Sequence, residues 1–358
     1  MLLANAGVRF AQQILPCTSL ADPGARMYAV LLAAAAGFLV TKLSAPALVG
    51  FLRSRGVVRP DAHKPGNPQV AHAGGVIIFL GIMTGFATWV ALAGVGDVVV
   101  KATVALGAGV ICFLVGLVDD LRVLGGLTKT VATVLSILPI VAAALLHPDL
   151  IGWGRPSLPF VGTLRITVIY WALLPLAVAG PANVVNMLDV LNGVTPGMMI
   201  AAYSTLALIA ALTGGHATLA LSLIVLGVLL AYYPYNAYPA RVFNGDSGSL
   251  LLGALLGALA VVEHYEFVVF TLLLPHLLNG FMILVSFRGF KEHRKVPKRP
   301  IHVDSQGRLH ASRDPDAPLT LTRLALLLGG SATEKEVAGL YILLQISACA
   351  LALISALC

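Results

Sequence analysis

The sequence predicts an all-α, polytopic membrane protein with about ten transmembrane helices, and three observations predict it. Of its 358 residues, 58% are hydrophobic and only 11% are charged, where a soluble domain carries about 25% charged residues. Apolar runs recur at about 20 residues, the length that crosses a bilayer as a helix. Lysine and arginine gather in alternate loops, as they do when one set of loops faces the cytoplasm.

The runs fall at 27–52, 74–93, 98–118, 130–146, 166–182, 195–212, 217–233, 247–262, 267–287 and 337–357. Ten crossings place both termini on one side. The loops of the opposite side hold 17 of the 23 Lys and Arg residues, and the terminal side holds five, with Lys42 inside the first run. That asymmetry puts the 17-residue side in the cytoplasm and both termini outside it. One integral membrane domain over 1–358 is expected, with a long cytoplasmic loop at about 288–336. This loop carries a basic run at 291–299, then an apolar piece at 319–328. The latter is too short to span and reads as a helix on the membrane surface.

The amino terminus is interrupted by Asn5, Arg9, Gln12 and Gln13. It lacks the apolar core of a signal peptide and reads as a short interfacial helix. Four cysteines, Cys17, Cys112, Cys349 and Cys358, show no paired spacing, so neither a disulfide framework nor a zinc site is expected.

Three polar islands interrupt this pattern: Asp119-Asp120, then 183–193 with Asn183, Asn186, Asp189 and Asn192-Gly193, then Asn244-Gly245-Asp246-Ser247-Gly248-Ser249. Polar groups beside a bilayer are costly and mark sites or pathways. The topology places all three at helix ends on the cytoplasmic face. Adjacent acids on a helix point about 100° apart, so Asp119 and Asp120 need not chelate together: one can face a metal or substrate while the other binds a neighbouring base, and an ordinary solvated helix terminus explains the pair equally well. Asn183, Asn186 and Asp189 recur at i, i+3 and i+6 and share a helix face. Their oxygens suit a hard cation such as Mg²⁺, although a hydrogen-bonding cluster at a broken helix would use the same residues.

In the third island, Gly245 and Gly248 permit close approach of a ligand. Free amides at the helix start attract phosphate, and Asp246 is placed to hold a cation. Ser247 and Ser249 as plain helix caps are the simpler alternative. Lys129 lies within reach of the same pocket. His293, Arg294, Lys295, Lys298 and Arg299 together form a stiffened basic group able to clamp a diphosphate, although for any one of them plain positive-inside charge is the better reading. In the loop 61–75, Lys64 is a candidate contact for phosphate or a lipid headgroup, and positive-inside charge explains it equally well. His276 and Asn279, inside the ninth run, are expected to satisfy each other or a neighbouring helix.

Four of these segments, in order and covering nearly the whole chain, resemble the polyprenyl-phosphate N-acetylhexosamine-1-phosphate transferases. They are His63-Lys64-Pro65 with Gly74-Gly75, Gly116-Leu117-Val118-Asp119-Asp120 with Lys129, Asn183 to Gly193, and Val242-Phe243 through Gly253. The resemblance implies a ten-span enzyme that moves a sugar phosphate from a UDP-sugar to a lipid phosphate. The basic run 293–299 and Pro275-His276-Leu277-Leu278-Asn279 resemble the archaeal and eukaryotic branch. That implies UDP-GlcNAc as donor, a dolichyl or other polyprenyl phosphate as acceptor, UMP as product and a role in the first membrane step of glycan assembly.

Carried onto this sequence, the resemblance implies that Asn186 and Asp246 bind Mg²⁺, with Mn²⁺ as a substitute. Asp119 and Asp120 would lie by the acceptor phosphate with Lys129 on phosphate. Phe243 would stack on uracil, Asn192 would lie near the uridine, and His293, Arg294 and Lys295 would hold the diphosphate. Lys64, Asn183 and Asp189 complete the substrate-binding set. The chain departs from the family pattern at Val190 and Asn192, and again at Ala71-His72, where relatives often carry Pro-Glu.

The expected partners are the UDP-sugar, the lipid phosphate and the membrane, with no nucleic acid. A homodimer is compatible with this class, but no residue fixes one. Three alternatives stand beside this reading: another UDP-sugar such as UDP-MurNAc-pentapeptide, an ion-coupled transporter, which would place acids near the midplane and show inverted repeats, and a non-catalytic scaffold.

Overall fold

A computed structural model describes residues 23–148, 157–158, 162–163, 167–287 and 298–357. In chain order these form α1 (Pro23–Ser54), a hairpin of β1 (Val58–Pro60) and β2 (Gln69–Ala71), α2 (Gly75–Ala93) and α3 (Asp97–Leu121). Then come α4 (Gly126–Val134), a 3₁₀ turn (Leu135–Ile137), α5 (Leu138–Leu146), β3 (Ser157–Leu158) and β4 (Gly162–Thr163). The second half holds α6 (Thr167–Leu188), α7 (Val194–Thr213), α8 (His216–Asn236), α9 (Gly245–Glu263), α10 (Glu266–Leu272), α11 (Leu274–Phe287), β5 (Ile301–Val303), β6 (Leu309–Ala311), α12 (Leu321–Gly329) and α13 (Glu334–Leu357). Among the described residues, nine helical stretches are long and apolar enough to cross a membrane, and ten if α10 and α11 make one bent span. The all-α, polytopic expectation holds; the three hairpins are two or three residues a side.

α9 is the centre of the bundle. Every residue from Ser247 to Val262 is buried, and α9 packs most extensively on α3 and α6. Its glycines, alanines and serines let neighbouring backbones close on it, which is how helices pack where water supplies no hydrophobic drive. Most other spans expose large apolar side chains on their outer faces, such as Leu43, Leu145, Leu176 and Phe281. Lipid would cover those faces.

Two spans differ from the simple runs. The fourth starts at Gly126 rather than near 130, after an extended Gly125, so Lys129 lies inside a helical turn. The ninth is bent by 71° between α10 and α11. Pro275 sits in the first turn of α11, where its missing N–H and ring prevent a continuous helix from running through. The surface-helix segment 319–328 does form a helix, α12, capped by the Thr320 hydroxyl accepting from the Arg323 amide. The amino-terminal segment and the run 291–297 lie outside the described residues.

Candidate active site

The carboxyl ends of α3 and α6 and the amino ends of α4 and α9 meet at one end of the bundle, so the three polar islands converge although up to 127 positions separate bonded partners. The Asp119-Asp120 pair divides as its helical geometry predicts. Asp120 turns into the protein and clamps the start of α9. Its Oδ1 accepts from the Asp246 amide at 2.7 Å, and its Oδ2 accepts from the Ser247 amide at 3.1 Å and the Ser247 hydroxyl at 2.5 Å.

This clamp corrects one expectation. The amides of residues 246 and 247 are not free for phosphate, because the buried Asp120 carboxylate already sits where an anion would bind. Gly245 adopts a φ of +69°, and a Cβ there would fall 2.4 Å from the Asp120 carboxylate. Gly116, one turn before the acid pair, passes so close that a Cβ would lie 2.4 Å from the Asp246 backbone. Only glycine permits this approach of α3 to α9.

Asp119 faces the other way. Its Oδ1 accepts from the Leu124 amide at 2.6 Å, and its Oδ2 lies 3.6 Å from the Lys129 ammonium. Lys129 also makes a close ion pair with Asp246. The Asp246 Oδ1 accepts from Asn186 Nδ2 at 2.9 Å, and the same amide donates to Ser249 Oγ at 2.9 Å. Asp119, Lys129, Asn186 and Asp246 therefore form one contiguous polar group. Neither serine serves as a conventional cap: Ser247 bonds Asp120, while Ser249 donates to the Gly245 carbonyl.

The shared face of Asn183, Asn186 and Asp189 fans out. Asn183 donates to Thr133 Oγ1 at 2.8 Å and to the Ala179 carbonyl, binding α6 to α4. Asp189 follows the last residue of α6, is no longer on the helical face, and accepts from Asn244 Nδ2 at 2.8 Å. Burial pushes its carboxyl up to about 6, and the Asn244 hydrogen bond partly opposes this. Phe243 is held by its backbone, its amide on the Ala71 carbonyl and its carbonyl on the Gly74 amide.

Lys64 and Asn192 belong to a second group. Lys64 makes a close ion pair with Asp61, donates to Asn192 Oδ1 at 2.9 Å, lies 3.3 Å from Glu334 and sits 4.6 Å above the Tyr238 ring. Glu334 accepts from the Asn192 amide at 2.7 Å, and Asn192 Oδ1 accepts from the Ala240 amide at 2.7 Å. Asp61, Glu334 and His72 escaped the sequence reading as site-forming residues. Glu334, an acid at the very start of a span, carried a usable signal; Asp61 was visible only as a member of a Pro/Gly-rich loop, and His72 only as a departure from the family pattern.

A cavity of about 630 Å³ borders the second group at Lys64, and Asp119, Lys129, Asn186 and Asp246 are not among its walls. His63, Lys64, Met187, Val190, Arg299 and His302 are among its walls. Burial holds the His63 imidazole below its ordinary value, with the neighbouring Asp61 opposing. His293, Arg294 and Lys295 lie outside the described residues. Within the ninth span, Asn279 donates to the Met187 carbonyl and accepts from the Leu321 amide. His276 does not pair with it: both ring nitrogens are buried without a hydrogen-bond partner among the described residues.

These features define an integral membrane protein whose acid, amide and ammonium groups converge at one end of an apolar helix bundle. The model of glycosyl transferase family 4 matches residues 102–264, which contain all three islands. A protein of Sulfolobus acidocaldarius, provisionally named a UDP-N-acetylglucosamine–dolichyl-phosphate N-acetylglucosaminephosphotransferase, is 27% identical over 84% of this chain and 88% of its own length. A Bacillus subtilis protein provisionally named an undecaprenyl-phosphate N-acetylglucosaminyl 1-phosphate transferase is 28% identical over 80% of this chain and 77% of its own. The phospho-N-acetylmuramoyl-pentapeptide-transferase of Desulforamulus reducens is 29% identical over 76% and 86%. Over most of its length the chain is thus similar to proteins named as transferases of N-acetylhexosamine phosphates.

Proposed function

We propose that this protein transfers GlcNAc-1-phosphate from UDP-GlcNAc to a dolichyl or other polyprenyl phosphate, releasing UMP and leaving polyprenyl-diphosphate-GlcNAc. The observation that carries this reading is the group of Asp119, Lys129, Asn186 and Asp246 at one end of the bundle, in a chain whose long-range relatives bear the names of such transferases. The charge asymmetry of the loops supports a reaction at the cytoplasmic face of the cell membrane.

The residues present fit a magnesium ion. Asp246 and Asn186 offer carboxylate and amide oxygens, the donor type Mg²⁺ prefers. A 180° turn of the Asn186 amide exchanges its nitrogen for its oxygen at the Asp246 side, so that both oxygens can face one ion. Among the described residues no group of three or more His, Cys, Asp or Glu side chains is arranged for a metal. A half-built site of this kind suits Mg²⁺, which is commonly held by one or two protein groups together with substrate phosphates. When bound, the ion would neutralise diphosphate charge, and Mn²⁺ would substitute.

The chemistry then follows from positioning and charge. Phosphoryl transfer asks the protein for little covalent work. A phosphate monoester has its second pKa near ~6, so the lipid phosphate reaches the site mostly as a dianion and needs no strong base. One of its oxygens attacks the β-phosphorus in line; the new oxygen–phosphorus bond forms as the bond to the UMP oxygen breaks, with inversion. The Lys129 ammonium stabilises charge on the transferring group. Asp119 orients the acceptor and takes its residual proton where one is present. Phe243 serves the uridine and the basic run at 293–295 the diphosphate, while Asn192, bonded to Lys64, Asp61, Glu334 and Ala240, is held in the closed group instead. The cavity walled by His63, Arg299 and His302 gives room for the hexosamine.

The experiment is incubation of purified protein with UDP-GlcNAc, Mg²⁺ and polyprenyl phosphate. Release of UMP is expected; release of UDP would mean that the sugar alone had moved. Exchange of labelled UMP into UDP-GlcNAc without lipid would instead establish a covalent aspartyl phosphate.

A further inference from the structure

We propose that His72 is a positioning residue of this site: its Nε2 holds the Asp120 carboxylate in the orientation that fixes the start of α9 and thereby sets where Asp246 points. The segment around His72 is built against that helix start. Ala71 pairs with Val242 as an isolated parallel bridge. The amides of Gly74 and Gly75 donate to the Phe243 and Asn244 carbonyls, and the His72 amide donates to Val57. Ala73, the next residue, adopts a φ of +65°, a conformation that L side chains rarely take and that surrounding structure must enforce. The imidazole is thus delivered to Asp120 by backbone on both sides.

At that point Nε2 lies 3.1 Å from Asp120 Oδ1, with the histidine side chain 15% exposed and the aspartate 1%. The same Oδ1 accepts from the Asp246 amide, and Oδ2 accepts twice from Ser247. Three hydrogen bonds from α9 thus hold the carboxylate, and among the described residues His72, at ion-pair distance from Oδ1, supplies its one side-chain contact from outside α9. The other ring nitrogen, Nδ1, is buried with no hydrogen-bond partner among the described residues. An apolar side chain would fill the same space without that uncompensated polar atom, so the function of the ring at this position lies with Nε2. Asp120 contacts neither the proposed metal ligands' side chains nor Lys129 in the described bonds; its hold on the Asp246 backbone is the route by which His72 acts.

The inference rests on the proposed transferase site, and its test separates the two. Wild type, His72→Gln, His72→Asn and His72→Leu are compared for thermal midpoint in detergent, for kcat and KM of UMP release, and for Mn²⁺ binding measured by paramagnetic resonance without substrate. Glutamine places an N–H near the Nε2 position; asparagine does not reach it, and leucine has no donor. His72→Leu and His72→Asn should each lower kcat and weaken Mn²⁺ binding about tenfold or more, as loss of a group supporting a site typically does, with KM for the UDP-sugar little changed. His72→Gln should recover most of both. Should His72→Leu fail to fold, asparagine against glutamine carries the same comparison.

A folded asparagine or leucine variant with wild-type kcat and Mn²⁺ affinity would overturn the proposal, as would glutamine falling as far as leucine. If wild type releases no UMP yet Mn²⁺ binding follows the predicted order, the transferase reading fails and the positioning role stands.

Discussion

The protein contains two groups of nearly the same chemistry, each a lysine between two carboxylates with an asparagine beside it, and they differ in how completely the lysine is enclosed. Lys64 is packed among Asp61, Glu334, Asn192 and the face of Tyr238, and its two carboxylate partners are each 2% exposed. Glu334 and Asn192 also bind backbone amides. The group ties the first loop, the turn after α6, the loop before α9 and the start of α13 into one knot. Lys129 has a close partner in Asp246 and a looser one, 3.6 Å away, in Asp119, and Asp246 remains 22% exposed. A closed group with every donor matched favours rigidity. The open group can exchange its lysine contact for a phosphate or a cation, and this openness, rather than composition, distinguishes a site from a staple.

Substitutions at equivalent places should therefore fail in different ways. The largest effect is expected at Asp246→Asn, which keeps the shape and removes the charge. Turnover should fall by about 10³-fold, the scale on which a preorganised electrostatic group acts, while the thermal midpoint stays near wild type. A variant with unchanged UMP release would remove the metal assignment. Lys129→Met should follow, losing about 10²-fold or more in kcat with modest change in stability, because Asp246 and Lys129 retain access to water. Lys64→Met should do the reverse. It strands two buried carboxylates, a defect that typically costs about 3–5 kcal/mol, so loss of folded yield in detergent is expected before any change in kcat per folded molecule. Equal stability of the two methionine variants would show the distinction between the groups to be unfounded.

The comparison also marks what the sequence could disclose. The spans, the convergence of the islands and the split of Asp119 from Asp120 follow from hydropathy, from loop charge and from the angle between neighbouring helical residues, and each is visible in a single chain. The bend at Pro275 was available in principle, since proline in an apolar run interrupts a helix, but run length outweighed it. The partners of Lys64 were out of reach. Asp61 is three residues away, yet Glu334 is 270 positions distant, and no periodicity links them. The same holds for His72 and Asp120. Which lysine is left open to a ligand and which is locked by carboxylates is decided by tertiary enclosure, and a one-dimensional pattern records only that both are basic residues near a membrane surface.

The smallest expected effect tests the seam between the groups. Asp189 accepts from Asn244, which precedes the active-site helix, and lies three residues before Asn192 of the closed group. Burial raises its carboxyl to about 6, above the value near ~3.9 of an unfolded chain. The sign follows from linkage: the folded state binds the proton more tightly, so this contribution to stability is complete below about pH 4 and is lost as pH rises through about 6. Asp189→Asn cannot titrate and should keep the Asn244 contact. The thermal midpoint of wild type should accordingly decline relative to that of the variant between about pH 4 and 7, by a few degrees at most, and the two curves should run parallel above pH 7. A difference that grows instead toward low pH would mean that Asp189 is held as a charged acceptor. In that case the seam belongs to the closed group, with its charge matched by the surrounding donors, and the open group ends at Asn186.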